Sequence, residues 1–148
     1  MLWEVPIRDC PSDQRLPAKL AAGMARARRG LVDMDDLDPD HRHFASAAAI
    51  VAELAARQPA EEDAVLSHGD YCRPKVFLAG GQVAGFIDLG RAGVASPWQD
   101  ISLCVRSLRY NFETLRGESA PIDAFFCALG REPDWDEIEY YRLLDELF

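Results

Sequence analysis

The chain has 148 residues, room for one domain and one modest core, and its 49% apolar and 28% charged content excludes a disordered or fibrous chain. Lys and Arg total 16 against 25 Asp and Glu, a formal charge of −9 that makes nucleic acid a poor partner and a cationic small molecule a better one, because acidic clefts concentrate cations. No apolar run is long enough to span a membrane, and MLWEVPIRDC has no basic region leading into an apolar one, so a soluble cytoplasmic protein is expected.

In chain order, Pro6, Pro11 and Pro17 punctuate an irregular entry. A helix fits from Pro17 to Arg29, with proline in its first turn and Gly30 just past its end. LVDMDDLDPD, residues 31–40, has an apolar side in Leu31, Val32, Met34 and Leu37, which predicts a structured acidic loop or short helix. Residues 44–57 are rich in strong helix formers. AVL, 64–66, is a strand candidate, and VFLAGGQVAGFID, 76–88, reads as a hairpin turning at Gly80–Gly81. Helices are predicted over 97–115, over 121–130 ending at Gly130, and over 134–148 with Asp134 as N-cap. One short strand and one hairpin are too few for a sheet that stands alone, so helices or another lobe must cover them. The cysteines, Cys10, Cys72, Cys104 and Cys127, are too irregularly spaced for a disulfide framework or zinc site, and Cys104 and Cys127 are expected in the core.

The chemistry concentrates in SHGDYCRPKVF, residues 67–77, and GFIDLGR, 85–91. Asp70 follows a strand and a glycine, and Asp88 follows the returning arm of the hairpin, so the fold-back brings both carboxylates to one end. One can accept a hydroxyl proton while the other holds Mg²⁺, a division of labour that suits phosphoryl transfer.

HGDYCRPKVF, GFIDLGR, WQDISLCVRS, LVDMDDLD and the terminal YYRLLDELF together resemble the aminoglycoside 3′-phosphotransferases of the kinase-like fold, from about Leu2 to Phe148. The resemblance implies an α+β, mostly helical, protein-kinase-like C-terminal lobe with a short hairpin. Its parts are a helical substrate-binding part over 1–60, a catalytic loop and hairpin over 64–91, and C-terminal helices over 97–148. It implies transfer of the γ-phosphate of ATP, with Mg²⁺, to an aminoglycoside 3′-hydroxyl. Asp70 matches the catalytic base and Asp88 the Mg²⁺-binding carboxylate. His68 and Asp100 match residues that organise the loop. Asp36, Asp38, Asp145, Glu146 and the Phe148 carboxylate match the acidic substrate pocket, and Arg91 and Arg106 match positions that line it.

Three departures accompany the resemblance. Kinase loops place an asparagine five residues after the catalytic aspartate to hold a second Mg²⁺. Lys75 stands there, and an ammonium has no lone pair for a metal. Either its charge partly replaces the lost cation or, the preferred reading, phosphoryl transfer is impaired. Pro39 replaces an acid of the substrate loop. Nothing resembles the β-rich N-terminal lobe that covers the ATP phosphates, so that lobe is expected to be absent, leaving an apolar docking face exposed. A separate chain supplying the lobe is one way to complete the site. The expectation is therefore weak or no activity for the chain alone. The alternatives are a non-catalytic aminoglycoside-binding module, a relic of a resistance kinase, or a kinase-like enzyme acting on another amino sugar or amino alcohol.

Overall fold

The computed structural model describes residues 2–60 and 64–148. The expected boundary between the first part, ending at 60, and the second, starting at 64, falls on 61–63, outside the described residues. About half of the chain is helical, with two small two-stranded sheets, an α+β architecture.

Helix α1 runs Leu16–Arg28 and α2 Ala47–Ala56. Pro17 sits in the first turn of α1, where a missing N–H costs nothing. Gly30, at φ 65°, closes its C-terminus, with the Leu31 N–H reaching back to the Arg26 carbonyl at 3.0 Å. α2 starts three residues later than predicted because Ser46 caps it, its hydroxyl accepting from the Ala49 N–H at 3.2 Å. The acidic segment between them is irregular apart from a 3₁₀ turn at Pro39–His41, with Leu37 buried.

Strand β1, Val65–Ser67, leads into the 67–77 loop. β2, Val76–Ala79, and β3, Gln82–Phe86, form the predicted hairpin. Gly80 and Gly81 both have positive φ, as a two-residue turn with the right twist requires. A further strand, β4 at Gly93–Ala95, pairs antiparallel with β1 and was not anticipated. Three residues without alternation carry too little periodicity to announce a strand. Its outer edge is covered by residues 12–14, through Val94 N–H to Ser12 O and Gln14 N–H to Val94 O, both 2.9 Å.

α3, Pro97–Arg109, passes into a π-helical turn at Tyr110–Thr114, so the predicted 97–115 helix is not α throughout. α4 spans Ile122–Leu129 and α5 Trp135–Asp145. Asp134 caps α5, accepting from the N–H groups of Asp136 and Glu137 at 3.1 Å each. The core gathers Ile50 and Leu54 of α2, Ile101 and Val105 of α3, and Leu143, Leu144 and Leu147 from α5 and the segment after it. α1 approaches this end closely, for a Cβ at Gly23 would lie 2.6 Å from Leu147 Cδ1. Cys127 is exposed, contrary to expectation, while Cys104 is partly buried. α4 buries Phe126, and the next residue along a helix turns about 100° away from that face. Among the described residues no helix is long and apolar enough to cross a membrane.

Candidate active site

The 67–70 loop is shaped by one buried carboxylate. Asp100, in the first turn of α3, accepts four hydrogen bonds: from Ser67 Oγ at 2.8 Å, the N–H groups of His68 and Gly69 at 3.0 Å each, and Trp3 Nε1 at 3.2 Å. A buried carboxylate needs such a set to offset its lost hydration. His68 is fully buried, with Nε2 3.0 Å from the Ile87 carbonyl, which ties the loop to the end of β3. Its ring stands edge-on to Tyr71 and Phe86. Gly69 has φ 80°, and a Cβ there would overlap the Arg91 carbonyl, so the loop and the 89–91 turn meet backbone to backbone.

The hairpin positions the second carboxylate. The Ile87 N–H donates to the Lys75 carbonyl at 3.1 Å, which places residue 75 beside Asp88. Asp88 is the one non-glycine residue among those described with positive φ, 63°, a conformation aspartate tolerates better than most residues. Lys75 Nζ pairs with Asp70 Oδ2 and lies 2.6 Å from Asp88 Oδ2. The two carboxylates therefore converge on one ammonium. Burial alone would lower the Lys75 pKa, but the hydrogen bonds to Asp70 and Asp88 outweigh it and raise it. The hydrogen bond from Lys75 holds Asp88 below its ordinary value.

A second cluster lies against the C-terminal segment. Asp36, Asp38, Arg91, Arg106, Asp145, Glu146 and Phe148 all line one cavity of about 440 Å³, together with Arg26, Leu31 and Asp33. Its five carboxylate side chains outnumber its three guanidiniums. Some are already engaged. Asp145 is held by Arg91 at 3.0 Å and Arg106 at 2.9 Å, and Asp38 by Arg142 at 3.3 Å. A larger cavity of about 600 Å³ lies elsewhere, beside β3, and is lined mainly by apolar groups such as Trp3, Tyr71 and Phe86. Phe77, Leu78, Val83, Ile87 and Leu89 are exposed on and after the hairpin.

Several residues important to this geometry carried no sequence signal. His41, almost wholly buried, has Nδ1 2.6 Å from Glu146 and Nε2 2.8 Å from Glu139. Burial would lower its pKa, but the hydrogen bonds to the two glutamates outweigh that and raise it to about 9. With both ring nitrogens on carboxylates it is a protonated clamp. Asp38, His41 and Glu146 also have the spacing of a metal site, but a charged imidazole has no lone pair for an ion. Arg26 donates to the carbonyls of Leu147 at 2.6 Å and Leu31 at 2.9 Å, joining the start of the acidic loop to the chain end. Lys19 is buried with its ammonium 5.1 Å from the Phe148 ring centre, and burial lowers its pKa to about 8.

Known proteins share this fold. The chain is 41% identical to an aminoglycoside 3′-phosphotransferase of Staphylococcus aureus, over all of its own length and 55% of the relative's. It is 39% identical to one from Streptomyces fradiae, over 99% of its own length and 55% of that relative. Among solved structures, an aminoglycoside-3′-phosphotransferase of type VIII superposes with a TM-score of 0.85 at 30% identity, covering 99% of this chain and 56% of that one. The aminoglycoside phosphotransferase APH(3′′)-Id of Streptomyces rimosus, in complex with ADP and streptomycin, gives 0.81 at 31% identity, covering 99% and 57%. The chain thus spans about half the length of the relatives it matches. The model of the phosphotransferase enzyme family, APH, matches residues 2–141, nearly the whole sequence, and the chain belongs to that family.

Proposed function

We propose that the chain is the C-terminal, acceptor-binding lobe of an aminoglycoside 3′-phosphotransferase, and that its 148 residues alone transfer phosphate weakly or not at all. The observation that carries this reading is the acidic cavity. Five carboxylate side chains around about 440 Å³ suit a compact molecule bearing several ammonium groups, each able to take a charge-assisted hydrogen bond. Asp33 and Asp36 are exposed at its mouth, while Asp38 and Asp145 can exchange an internal arginine for a ligand ammonium.

In this reading Asp70 accepts the proton of the attacking hydroxyl, and Asp100 and His68 fix the loop on which it sits. ATP is the donor, and Mg²⁺ would supply charge neutralisation at the phosphates. The fit of that ion is poor in this chain. The space between Asp70 and Asp88 is taken by the Lys75 ammonium, which offers three donors and no lone pair. Asp70 freed of Lys75 could act as base, but in this structure its Oδ2 is already engaged by the Lys75 ammonium.

That pairing favours a second reading, an aminoglycoside-binding module without catalysis. The cavity needs no nucleotide to hold a polycation. Kanamycin phosphorylation by ATP, followed beside calorimetric titration of kanamycin with and without ATP and Mg²⁺, separates the two. Slow turnover with nucleotide-enhanced binding supports the kinase lobe. Binding that ignores nucleotide supports the module. Robust turnover by the 148 residues would refute the claim of weak activity, and no kanamycin binding at low salt would refute both readings.

A further inference from the structure

We propose that Lys75 is a resident cation of the 67–88 loop, an ammonium that occupies the metal position between Asp70 and Asp88 and excludes a divalent ion from it. The expectation of a metal there rests on the phosphotransferase reading. The occupation of the space by Lys75 rests on geometry alone.

Three observations place the ammonium. The Lys75 backbone is fixed on both sides, its N–H donating to the Cys72 carbonyl at 3.0 Å and its carbonyl accepting from Ile87 at 3.1 Å. Its Nζ reaches one oxygen of each carboxylate, Oδ2 of Asp70 and Oδ2 of Asp88. The Lys75 and Asp70 side chains are largely covered, at 19% and 23% exposure, so the pair on that side is poorly screened by solvent. Asp88, at 61%, is the open side from which an ion would arrive.

A divalent ion entering there must expel the ammonium or sit beside a like charge within a few ångströms. Expulsion breaks two ion pairs formed within the chain, where the lysine has no association entropy to lose. Mg²⁺, by contrast, gives up tightly held water to bind. Two carboxylates and one ammonium also leave a single net negative charge, half of what the bare pair would offer a cation. The site is thus compensated by the protein itself. Its fold does not depend on added metal, and its carboxylates stay together without one.

Binding of Mn²⁺ alone, read from the loss of the free-ion electron paramagnetic resonance signal, tests this without nucleotide or turnover. The expected result is that Lys75→Asn binds Mn²⁺ at least tenfold more tightly than the parent chain, and Lys75→Met, which removes the ammonium without adding a ligand, at least threefold. Asp88→Asn placed on Lys75→Asn should abolish the gain. Thermal melts with and without Mg²⁺ provide a second readout. The parent melting temperature should be unmoved by the ion, and that of Lys75→Asn should rise. Equal Mn²⁺ affinity in the parent and both lysine variants would overturn the proposal. So would a gain that survives Asp88→Asn, because the ion would then lie elsewhere. Kanamycin titration reports on the phosphotransferase reading separately, since the acidic cavity does not include Lys75.

Discussion

The loop at 67–88 and the acidic cavity at the chain end both gather carboxylates, and both are partly neutralised from within, yet they are built in opposite ways. The loop is held by bonds to backbone: Asp100 grips two successive N–H groups, and His68 reaches a carbonyl. Its Asp70 and Asp88 carboxylates share one lysine. The cavity is held by side-chain pairs, with Asp145 between Arg91 and Arg106, and Arg142 between Asp38, Asp40 and Glu139. Backbone-directed bonds fix a shape and cannot be traded. Side-chain pairs with an excess of acid can be traded for a ligand's ammonium groups. On the proposed reading the cavity therefore keeps its capacity for a cation, while the loop's is already taken up by Lys75.

The sharpest way to break this contrast is at Asp100. Asp100→Ala should strand the His68 N–H, leave the Gly69 N–H with Ser67 Oγ as its one acceptor, and cost about 3–5 kcal/mol, or prevent folding, as read by urea denaturation. Gly69→Ala comes next, at about 3 kcal/mol, because the residue must hold φ 80° against the Arg91 carbonyl. A loss below about 1 kcal/mol at either position would mean that the loop is not backbone-determined.

His41 tests the other region. Folded His41 keeps its proton up to about 9, against an ordinary histidine value of 6.5, so its contribution is whole below 6.5 and is lost as pH rises through about 9. His41→Gln should cost about 2–3 kcal/mol at pH 7 and flatten the decline between about pH 7 and 9.5. Lys19 acts with the opposite sign. Burial lowers its pKa to about 8, so the cost of its charge is relieved at higher pH. The difference between parent and variant, rather than the parent curve, is therefore the readout. Smaller still, Asp36→Asn should weaken kanamycin binding by about 1 kcal/mol, roughly fivefold in Kd. The exposed Glu53–Arg57 pair on α2 is the control, and Glu53→Gln should move stability by no more than about 0.5 kcal/mol.

Much of the loop was legible in sequence because its signals are local. Strand, glycine, aspartate and a hairpin with Gly80–Gly81 state where Asp70 and Asp88 go, and Lys75 announces itself as the wrong residue for a metal. β4 was not legible, since three residues paired with a strand almost thirty positions away leave no periodic trace. The clamp of His41 was hidden for a related reason. Its partners, Glu139 and Glu146, lie about a hundred residues on, and only the packing of the acidic loop against α5 brings them together. Cys127 misled because an apolar run on a helix always has an outward side.

One nuclear magnetic resonance titration compares the two regions in a single sample: kanamycin, then Mn²⁺, added to the isotope-labelled chain. The expected result is that kanamycin shifts the amides of Asp36, Asp38, Asp145 and Glu146, while one equivalent of Mn²⁺ leaves those of Gly69, Asp70 and Asp88 sharp. Broadening of those three amides by stoichiometric Mn²⁺ in the parent chain, with Lys75 in place, would contradict it.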